Sequence, residues 1–181
     1  MRNFIKAIAF YIYNGFLTHF PAYAVRHWYL KRILKIRIGS ETAIHCACHF
    51  AGNHVIIGNG SVINRECYLD GRAGIEIGDR VSISPHCYLL SLTHDPQSPD
   101  FGVIARPLKI GSYSWLGARA IILPGAHIGT GSVVGAGSVV SKPTADYDIV
   151  AGNPARPIGT RNRNLTYQPQ YFPWFNTDIT P

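Results

Sequence analysis

A six-residue pattern recurs without a slip over about 30 residues of the chain, and it constrains the fold more than any other feature. The first place of each hexapeptide is aliphatic, the second is often Gly, and the fifth is Ala or Ser. Counted from Ile110, the first places are Ile110, Leu116, Ile122, Ile128, Val134 and Val140, and the fifth places are Ser114, Ala120, Ala126, Ser132 and Ser138. This period predicts a solenoid, because one hexapeptide cannot bury its apolar residue alone and successive coils must stack.

The same pattern continues upstream with interruptions. The first places are Ile38, Ile44, Phe50, Ile57, Ile63, Leu69, Ile77, Ile83 and Leu89, and the fifth places are Thr42, Cys48, Ser61, Cys67, Val81 and Cys87. Three hexapeptides make one triangular coil, in which the aliphatic residue and the small residue both face the narrow interior. Gly at the second place suits a tight corner. The three cysteines should form one column of buried, reduced thiols, followed in that column by Ala120 and Ser138.

The two longest steps of the repeat between Ile38 and Val140 exceed six residues by two and by fifteen. The step from Leu69 to Ile77 is eight residues, so residues 70–74 form an enlarged corner. The step from Leu89 to Ile110 is twenty-one residues and contains the sequence Ser-Leu-Thr-His-Asp-Pro, in which the histidine is His94. A long excursion from a regular solenoid usually carries function.

These motifs resemble the left-handed β-helix, or hexapeptide-repeat, acyltransferases over roughly residues 38–158. The excursion is similar to the sugar O-acetyltransferase branch, which includes galactoside, maltose, colanic acid and capsule acetyltransferases. The resemblance implies an all-β solenoid of about five coils. Its left-handedness comes from the resemblance alone, because the general preference for right-handed crossovers would predict the opposite hand. The expected organisation is a helical segment (1–37), a β-helix (38–158) with a loop at 90–109, and an aromatic tail (159–181).

The resemblance also implies a catalytic centre. His94 matches the histidine that these enzymes carry in an extended loop, and imidazole is suited to act as a base near pH 7. Asn64 matches an asparagine beside the reaction centre, where a carboxamide could bind the acceptor hydroxyl or the acetyl oxygen. Asp95 is a candidate substrate-binding residue, although neighbouring side chains on a strand diverge. The alternatives to these roles are that His94 is an ordinary loop histidine and that Asn64 stands at a corner because asparagine favours turns.

The C-terminal half resembles the acetyl-CoA-binding part of the family through the sequences SWLGA, GAGS, SK and GNPAR. The cofactor-binding residues that this implies are Trp115, Ala118, Ala136, Ser141, Lys142 and Arg156. Ala118 and Ala136 match positions along the pantetheine arm, in a groove between two solenoids. Ser141, Lys142 and Arg156 match residues at the phosphates of the adenosine end, where cations are favourable. Gly159 stands where some relatives carry a second basic residue.

The function that these matches imply is direct transfer of an acetyl group from acetyl-CoA to a sugar hydroxyl by a homotrimer, with no metal. An N-acetyltransferase of an amino sugar, a xenobiotic acetyltransferase and a non-catalytic solenoid for assembly stay open as alternatives. His49 and His54 have the spacing of two zinc ligands in the γ-class carbonic anhydrases, which share this fold. No third histidine lies in register, although a catalytic zinc site needs three protein ligands.

The first 40 residues account for much of the net charge of +7, because seven of the 17 Lys and Arg residues and no Asp or Glu precede Ser40. This basic segment is compatible with an anionic membrane surface, a phosphorylated ligand or a plain solvated face. Nucleic acid is disfavoured, because the sequence shows no known binding module.

Two helices are expected in this segment. Residues 4–20 are rich in apolar side chains, and Pro21 could open a second helix that is amphipathic and basic. Its predicted apolar residues are Val25, Trp28, Ile33 and Leu34, between Arg26, Lys31, Arg32 and Lys35. Without a CxxC pair or an evident secretory signal, we expect a cytoplasmic protein that could touch the inner membrane face. The aromatic residues 167–175 should pack on the body or on a neighbouring subunit.

Overall fold

The computed structural model describes residues 1–177. Two helices, α1 (Arg2–Gly15) and α2 (Tyr23–Arg32), are joined by a 3₁₀ turn at Leu17–His19, and a second 3₁₀ turn lies at Trp174–Asn176. Between them lie short strands. In chain order they are β1 (Arg37–Ile38), β2 (Ala43–Ile44), β3 (His49–Ala51), β4 (Val55–Ile57), β5 (Val62–Ile63), β6 (Tyr68–Asp70), β7 (Ile75–Ile77), β8 (Ser82–Ile83), β9 (Tyr88–Leu90), β10 (Leu92–His94), β11 (Val103–Ala105), β12 (Leu108–Ile110), β13 (Trp115–Leu116), β14 (Ile121–Ile122), β15 (His127–Ile128), β16 (Val133–Val134), β17 (Val139–Val140), β18 (Asp148–Gly152) and β19 (Ala155–Thr160).

Three parallel sheets form the faces of a triangular, left-handed β-helix. The first face contains β1, β4, β7, β12 and β15, the second contains β2, β5, β8, β13, β16 and β18, and the third contains β3, β6, β9, β14 and β17. Strand β19 pairs with β18 in the antiparallel sense. The chain passes through the faces in this order, so the first corner follows the first face, the second follows the second face, and the third follows the third face. The predicted fold class is confirmed.

The first place of each hexapeptide sets the register between coils. On the first face Ile38, Ile57, Ile77, Ile110 and Ile128 lie in line; on the second, Ile44, Ile63, Ile83, Leu116, Val134 and Val150; on the third, Phe50, Leu69, Leu89, Ile122 and Val140. All of them except Ile38 are buried. The hexapeptide count therefore gave both the inward-facing residues and their partners one coil away.

The predicted cysteine column is also confirmed. Cys48, Cys67 and Cys87 are free and buried, and each thiol donates a hydrogen bond to a backbone carbonyl of the next coil. Hydrogen bonds with the thiols of Cys48 and Cys87, and then burial, raise the pKa of the Cys67 thiol. The three thiols act as small fillers of the interior, as expected.

The corners turn at the fourth place of the hexapeptide, where φ is positive even for residues with a side chain, for example +60° at Glu66 and +61° at Arg119. Gly at the second place has a different role, which corrects the one predicted. A Cβ atom on Gly117 would lie 2.6 Å from the backbone nitrogen of Ala136 in the next coil. The second-place glycines therefore permit the close approach of neighbouring coils.

Helix α1 packs against the first coil through one face only. Tyr13 is fully buried and makes an edge contact with the Phe50 ring at 5.8 Å between centroids. Asn14 accepts a hydrogen bond from the Phe50 backbone N–H and donates one to the Phe50 carbonyl, at 3.0 and 2.9 Å. No helix among residues 1–177 is long and apolar enough to cross a membrane.

Helix α2 differs from its prediction. Pro21 lies before the helix, and the buried face consists of Arg26, Leu30 and, just beyond the helix, Leu34. The Arg26 guanidinium donates hydrogen bonds to the carbonyls of Phe20 and Ile44, so a charged side chain occupies the inner face. The predicted apolar face is therefore wrong for Val25, Trp28 and Ile33, which are exposed, whereas Leu34 is buried as predicted.

The segment after β19 packs on the body of the chain, as expected. The Tyr167 hydroxyl donates to the Tyr113 carbonyl at 2.6 Å, near the first corner. Further along, Tyr171 lies 4.6 Å from the His45 ring, and Phe172 makes an edge contact with Tyr23 at 5.3 Å. The tail thus crosses the second face toward α2. The last four residues of the predicted tail, 178–181, lie outside the described residues.

Candidate functional site at two corners of the solenoid

The long excursion is an antiparallel hairpin at the third corner. Strands β10 and β11 pair Leu92 with Ala105 and His94 with Val103. Its tip is closed by the Asp95 N–H, which donates to the Gly102 carbonyl at 2.8 Å. The hairpin therefore presents His94 on a paired strand, next to an ordered tip.

The base of the hairpin is bound to the enlarged corner at residues 70–74. The carboxylate of Asp70 is 1% exposed, and it accepts hydrogen bonds from the Arg72 guanidinium at 2.8 and 2.9 Å and from the Leu92 backbone N–H. The Ser91 hydroxyl accepts from the Ala73 N–H at 2.9 Å, and the Leu108 N–H donates to the Gly74 carbonyl at 3.0 Å. The two breaks in the repeat are thus one structural unit.

Burial raises the pKa of the Asp70 carboxyl, but the hydrogen bonds and the charge of Arg72 outweigh it, so the net pKa lies below the ordinary value. Asp70 is therefore ionised at neutral pH and holds the start of β10 in place. Neither Asp70 nor Arg72 was predicted as a functional residue. The irregular eight-residue step was the available signal.

The imidazole of His94 is fixed in one tautomer. Its Nδ1 lies 2.8 Å from the Phe101 carbonyl oxygen, which can only accept a hydrogen bond, so Nδ1 carries a proton. The neutral ring then has an unprotonated Nε2. Among residues 1–177, no hydrogen bond to Nε2 is present, and the side chain is exposed. The Phe101 ring stacks on the imidazole at 3.8 Å between centroids. This arrangement orients Nε2 to accept a proton from an external ligand.

Asp95 is not paired with His94 within the described part of the chain. Its carboxylate accepts a hydrogen bond from the Gln97 N–H at 2.9 Å, which is a local turn contact. The structure therefore gives Asp95 a role in shaping the tip, and its predicted substrate contact stays a prediction.

Asn64 lies at the second corner, directly after β5. Its Nδ2 donates to the Ile83 carbonyl at 2.9 Å, and its Oδ1 accepts from the Tyr171 hydroxyl at 2.9 Å. Tyr171 was not predicted, because nothing in the tail sequence indicated where the tail would lie. Asn64, which was predicted to bind the acceptor hydroxyl, is thus hydrogen-bonded to the tail of its own chain.

Three of the predicted cofactor-binding residues share the second face and the second corner with Asn64. Trp115 lies on β13, is exposed, and donates from Nε1 to the Ser84 hydroxyl at 3.0 Å. Ala118 and Ala136 occupy the second corner in successive coils, where the Gly137 N–H donates to the Ala118 carbonyl at 2.8 Å. Small residues here leave an open strip of backbone along the corner.

Two predicted phosphate-binding cations meet at the last coil. Lys142 and Arg156 line one cavity of about 260 Å³, together with Asp148 and the pyrrolidine rings of Pro143 and Pro157. Both cationic side chains are exposed. Ser141 directly precedes Lys142 but does not line this cavity. The pair supplies positive charge at the end of the solenoid, as the binding of a phosphate group requires.

His94 and Asn64 do not meet within one chain. His94 belongs to the third corner and Asn64, Ala118 and Ala136 belong to the second, so the third face separates them. The predicted site residues therefore form two half-sites on each solenoid. A single chain cannot bring these half-sites together unless the solenoid itself deforms.

The histidines of the zinc alternative have other contacts. His49 stacks on Tyr68 at 4.8 Å, and His54 Nδ1 lies 3.2 Å from the Arg72 carbonyl. No group of three potential metal ligands is present in residues 1–177. A cavity of about 560 Å³ does lie beside His54 on the first face, but none of the predicted site residues lines it.

Comparison with known proteins places this geometry in a family. Residues 107–142 match the model for the bacterial transferase hexapeptide, six repeats. The chain is 38% identical to a protein of Mycobacterium tuberculosis named as a probable acetyltransferase, over 74% of the chain and 44% of that protein. It is 36% identical to the galactoside O-acetyltransferase of Lactococcus lactis, over 59% of the chain and 53% of the relative. The chain thus spans about half the length of these relatives.

The match to one solved structure extends over a larger share of the related protein. The N-acyltransferase AntD from Bacillus cereus, in complex with dTDP and 3-hydroxybutyryl-CoA, is 30% identical, with a TM-score of 0.67 over 71% of this chain and 73% of that one. The hexapeptide coils, the left-handed solenoid and these similarities agree, and this chain belongs to the hexapeptide-repeat acyltransferase family.

Proposed function

We propose that this chain is an acetyl-CoA-dependent O-acetyltransferase that acts on a sugar hydroxyl, with His94 as the general base. The observation that carries the proposal is the hydrogen bond from His94 Nδ1 to the Phe101 carbonyl, because it leaves Nε2 as a proton acceptor. The similarity to a galactoside O-acetyltransferase supports the sugar acceptor.

The acetyl thioester supplies an activated acyl group, so the protein needs no covalent intermediate of its own. His94 Nε2 takes the proton of the acceptor hydroxyl as the new C–O bond forms. The same Nε2–H then returns the proton to the sulfur as the C–S bond breaks, so the histidine ends neutral. The Phe101 carbonyl accepts from Nδ1 throughout and stabilises the intermediate imidazolium charge.

The second corner and the last coil suit the donor. Ala118 and Ala136 place small side chains at the same position of the second corner in successive coils, where Ala118 is half-buried and Ala136 is exposed. Lys142 and Arg156 line one cavity and suit phosphate groups. We assign the donor to this strip, with Trp115 at its side.

The catalytic centre is proposed to lie between two copies of the chain. His94 of one copy reaches the second corner of its neighbour, where Asn64 and Ala118 lie. Cyclic symmetry then gives three equivalent sites in a homotrimer. The separation of the two half-sites on one solenoid supports this assembly.

Replacing His94 tests the proposal. His94→Ala should lower kcat for acetyl-CoA consumption by about 10²–10⁴, because general-base catalysis contributes on that order. CoA affinity, measured by calorimetry, should stay unchanged. Thr93→Ala, on the same strand and exposed, is the matched control and should keep its rate. Full turnover by His94→Ala, or an equal loss of CoA affinity, would refute the role.

Arg156 tests the assignment of the donor. Arg156→Ala should weaken CoA binding by roughly tenfold, the loss expected for one charge-assisted hydrogen bond at about 1.4 kcal/mol. Lys109→Ala removes another exposed cation, on the first face and away from the cavity, and should change CoA affinity little. Equal losses of CoA affinity in both variants would indicate that CoA responds to the overall positive charge of the protein and not to a contact with Arg156.

An N-acetyltransferase acting on an amino sugar is the second candidate, and the similarity to AntD favours it. Mass spectrometry of products from a panel of paired hydroxyl and amino sugars distinguishes the two. Acetylated alcohols support the proposal, and exclusive acetylation of amines supports the alternative. A panel without any consumption of acetyl-CoA would favour a non-catalytic solenoid.

A further inference from the structure

The outward side of α1 is apolar. Phe4, Ile5, Ile8, Tyr11 and Ile12 lie within one stripe of the helix, opposite the buried Tyr13. Their side chains are 39% to 70% exposed. We call these five residues the outer face of α1. A helix that is apolar on both sides normally has a partner on both sides, because exposed apolar stripes are unfavourable in water.

The helix is held rigidly in this orientation. Tyr13 and the two hydrogen bonds of Asn14 with Phe50 fix the inner side on the solenoid. Near the N-terminus, the Lys6 ammonium donates to the Asn53 side chain at 2.9 Å. The outer face therefore cannot rotate inward to bury itself.

The charged side chains of the first 40 residues are all positive. No Asp or Glu precedes Glu41. The exposed cations of the segment are Arg2, Lys6, Lys31, Arg32, Lys35 and Arg37. The neighbouring helix adds an exposed indole at Trp28. Apolar side chains surrounded by cations and aromatic rings suit the interface of an anionic bilayer.

A second copy of the chain fits this face less well. Two such segments would bring cations together with no acidic residue from the same segment to pair with them. The 14 residues of α1 form a strip about 21 Å long and about 10 Å wide. That strip is far smaller than the roughly 800 Å² per partner of a stable protein interface.

We propose that the outer face of α1 docks the protein on the surface of an anionic lipid bilayer. The helix lies in the plane of the interface, with Phe4, Ile8 and Tyr11 among the acyl chains and the cations at the head groups. This inference goes beyond the proposed acyl transfer and does not depend on it. It requires neither acceptor nor acetyl-CoA.

Co-sedimentation of the full chain with vesicles tests the docking. Binding is expected to phosphatidylcholine vesicles that contain phosphatidylglycerol, to be weaker with phosphatidylcholine alone, and to weaken as salt is raised. Absence of binding to the anionic vesicles at low salt would overturn the proposal.

A matched pair of variants separates apolar insertion from charge. Ile8→Glu places an acid in the outer face, whereas Asn3→Glu adds the same charge to an exposed position of α1 outside it. Ile8→Glu should lower the partition coefficient at least about tenfold more than Asn3→Glu, because only the former removes an inserted side chain. Equal losses would contradict insertion.

Light scattering on the same samples tests whether a second copy of the chain covers the outer face of α1. Both variants should keep the molar mass of the unchanged chain and its circular dichroism, because Ile8 points away from the solenoid. A lower mass for Ile8→Glu alone would show that a second copy covers this face, and would overturn the membrane proposal.

Discussion

The second and third corners of the solenoid differ in the length and regularity of their turns. At the second corner the turns stay short, successive coils touch through Gly117 and Ala136, and the last two coils carry small residues at Ala118 and Ala136. At the third corner the chain is longer than the repeat in three coils, and the two longest expansions bind each other through Asp70 and Ser91. The second corner is a regular surface that successive coils share, whereas the third corner carries one projecting hairpin.

Under the proposed function, the second corner binds the donor and the third corner carries the catalytic base. A long ligand needs a continuous surface, which the regular turns of the second corner offer. A base needs a defined position and tautomer, which the hairpin supplies through the Phe101 carbonyl. Because the two corners point apart on one chain, the proposed transfer combines residues of two chains.

The largest expected effect of a single change on the regular corner is at Gly117. Gly117→Ala forces a Cβ atom to within 2.6 Å of the Ala136 nitrogen, so the free energy of unfolding should fall by up to about 3 kcal/mol. Gly137→Ala is the control at the same corner. It has a positive φ of +68° with no atom within 4 Å, so it should lose only about 1 kcal/mol. Chemical denaturation measures both, and equal losses would contradict the packing account.

Asp70 tests the expanded corner. Asp70→Asn should lower the free energy of unfolding by about 2 kcal/mol at neutral pH, because the buried carboxylate loses its charge and its charge-assisted hydrogen bonds from the half-exposed Arg72 side chain. The folded pKa of Asp70 is depressed, so its contribution is present above the unfolded pKa of about 3.9 and is lost as the pH falls through the folded pKa.

The difference in Tm between Asp70→Asn and the unchanged chain should therefore shrink as the pH falls below about 4. The rate of acetyl transfer should fall with the loss of hairpin order, while CoA affinity at the second corner holds. A difference in Tm that is independent of pH would show that the carboxylate charge does not stabilise the hairpin.

The sequence predicted the regular part of the molecule in detail. A fixed period determines which residue faces inward and which residue it meets in the next coil, so Ile77 and Ile110 pair as counted despite the excursion between them. Contacts outside the repeat follow no such rule. The inner position of Arg26 depends on carbonyls at Phe20 and Ile44, which no local pattern reveals.

The candidate site also has a part that the sequence predicts and a part that it does not. The placement of Ala118 and Ala136 followed from the count. The tautomer of His94 depends on a carbonyl seven residues away across a hairpin tip, and sequence alone does not specify that geometry.

Tyr171 gives the smallest expected effect and tests the edge of the second corner. Tyr171→Phe removes the hydrogen bond to Asn64 but keeps the ring beside His45, so the free energy of unfolding should fall by only about 0.5–1 kcal/mol. If the acceptor binds at Asn64, its KM should change while the KM for acetyl-CoA does not. An unchanged acceptor KM would place the acceptor away from this contact.

Mixing of two inactive variants tests the shared site most directly. His94→Ala removes the base, and Ala136→Trp blocks the strip at the second corner, so each homo-oligomer should be inactive. Co-expression with two different tags and purification through both yields mixed oligomers. If each site combines His94 of one copy with the second corner of its neighbour, every mixed trimer restores one of its three sites. Mixed oligomers without any acetyl transfer, despite unchanged folding of both chains, would contradict the account.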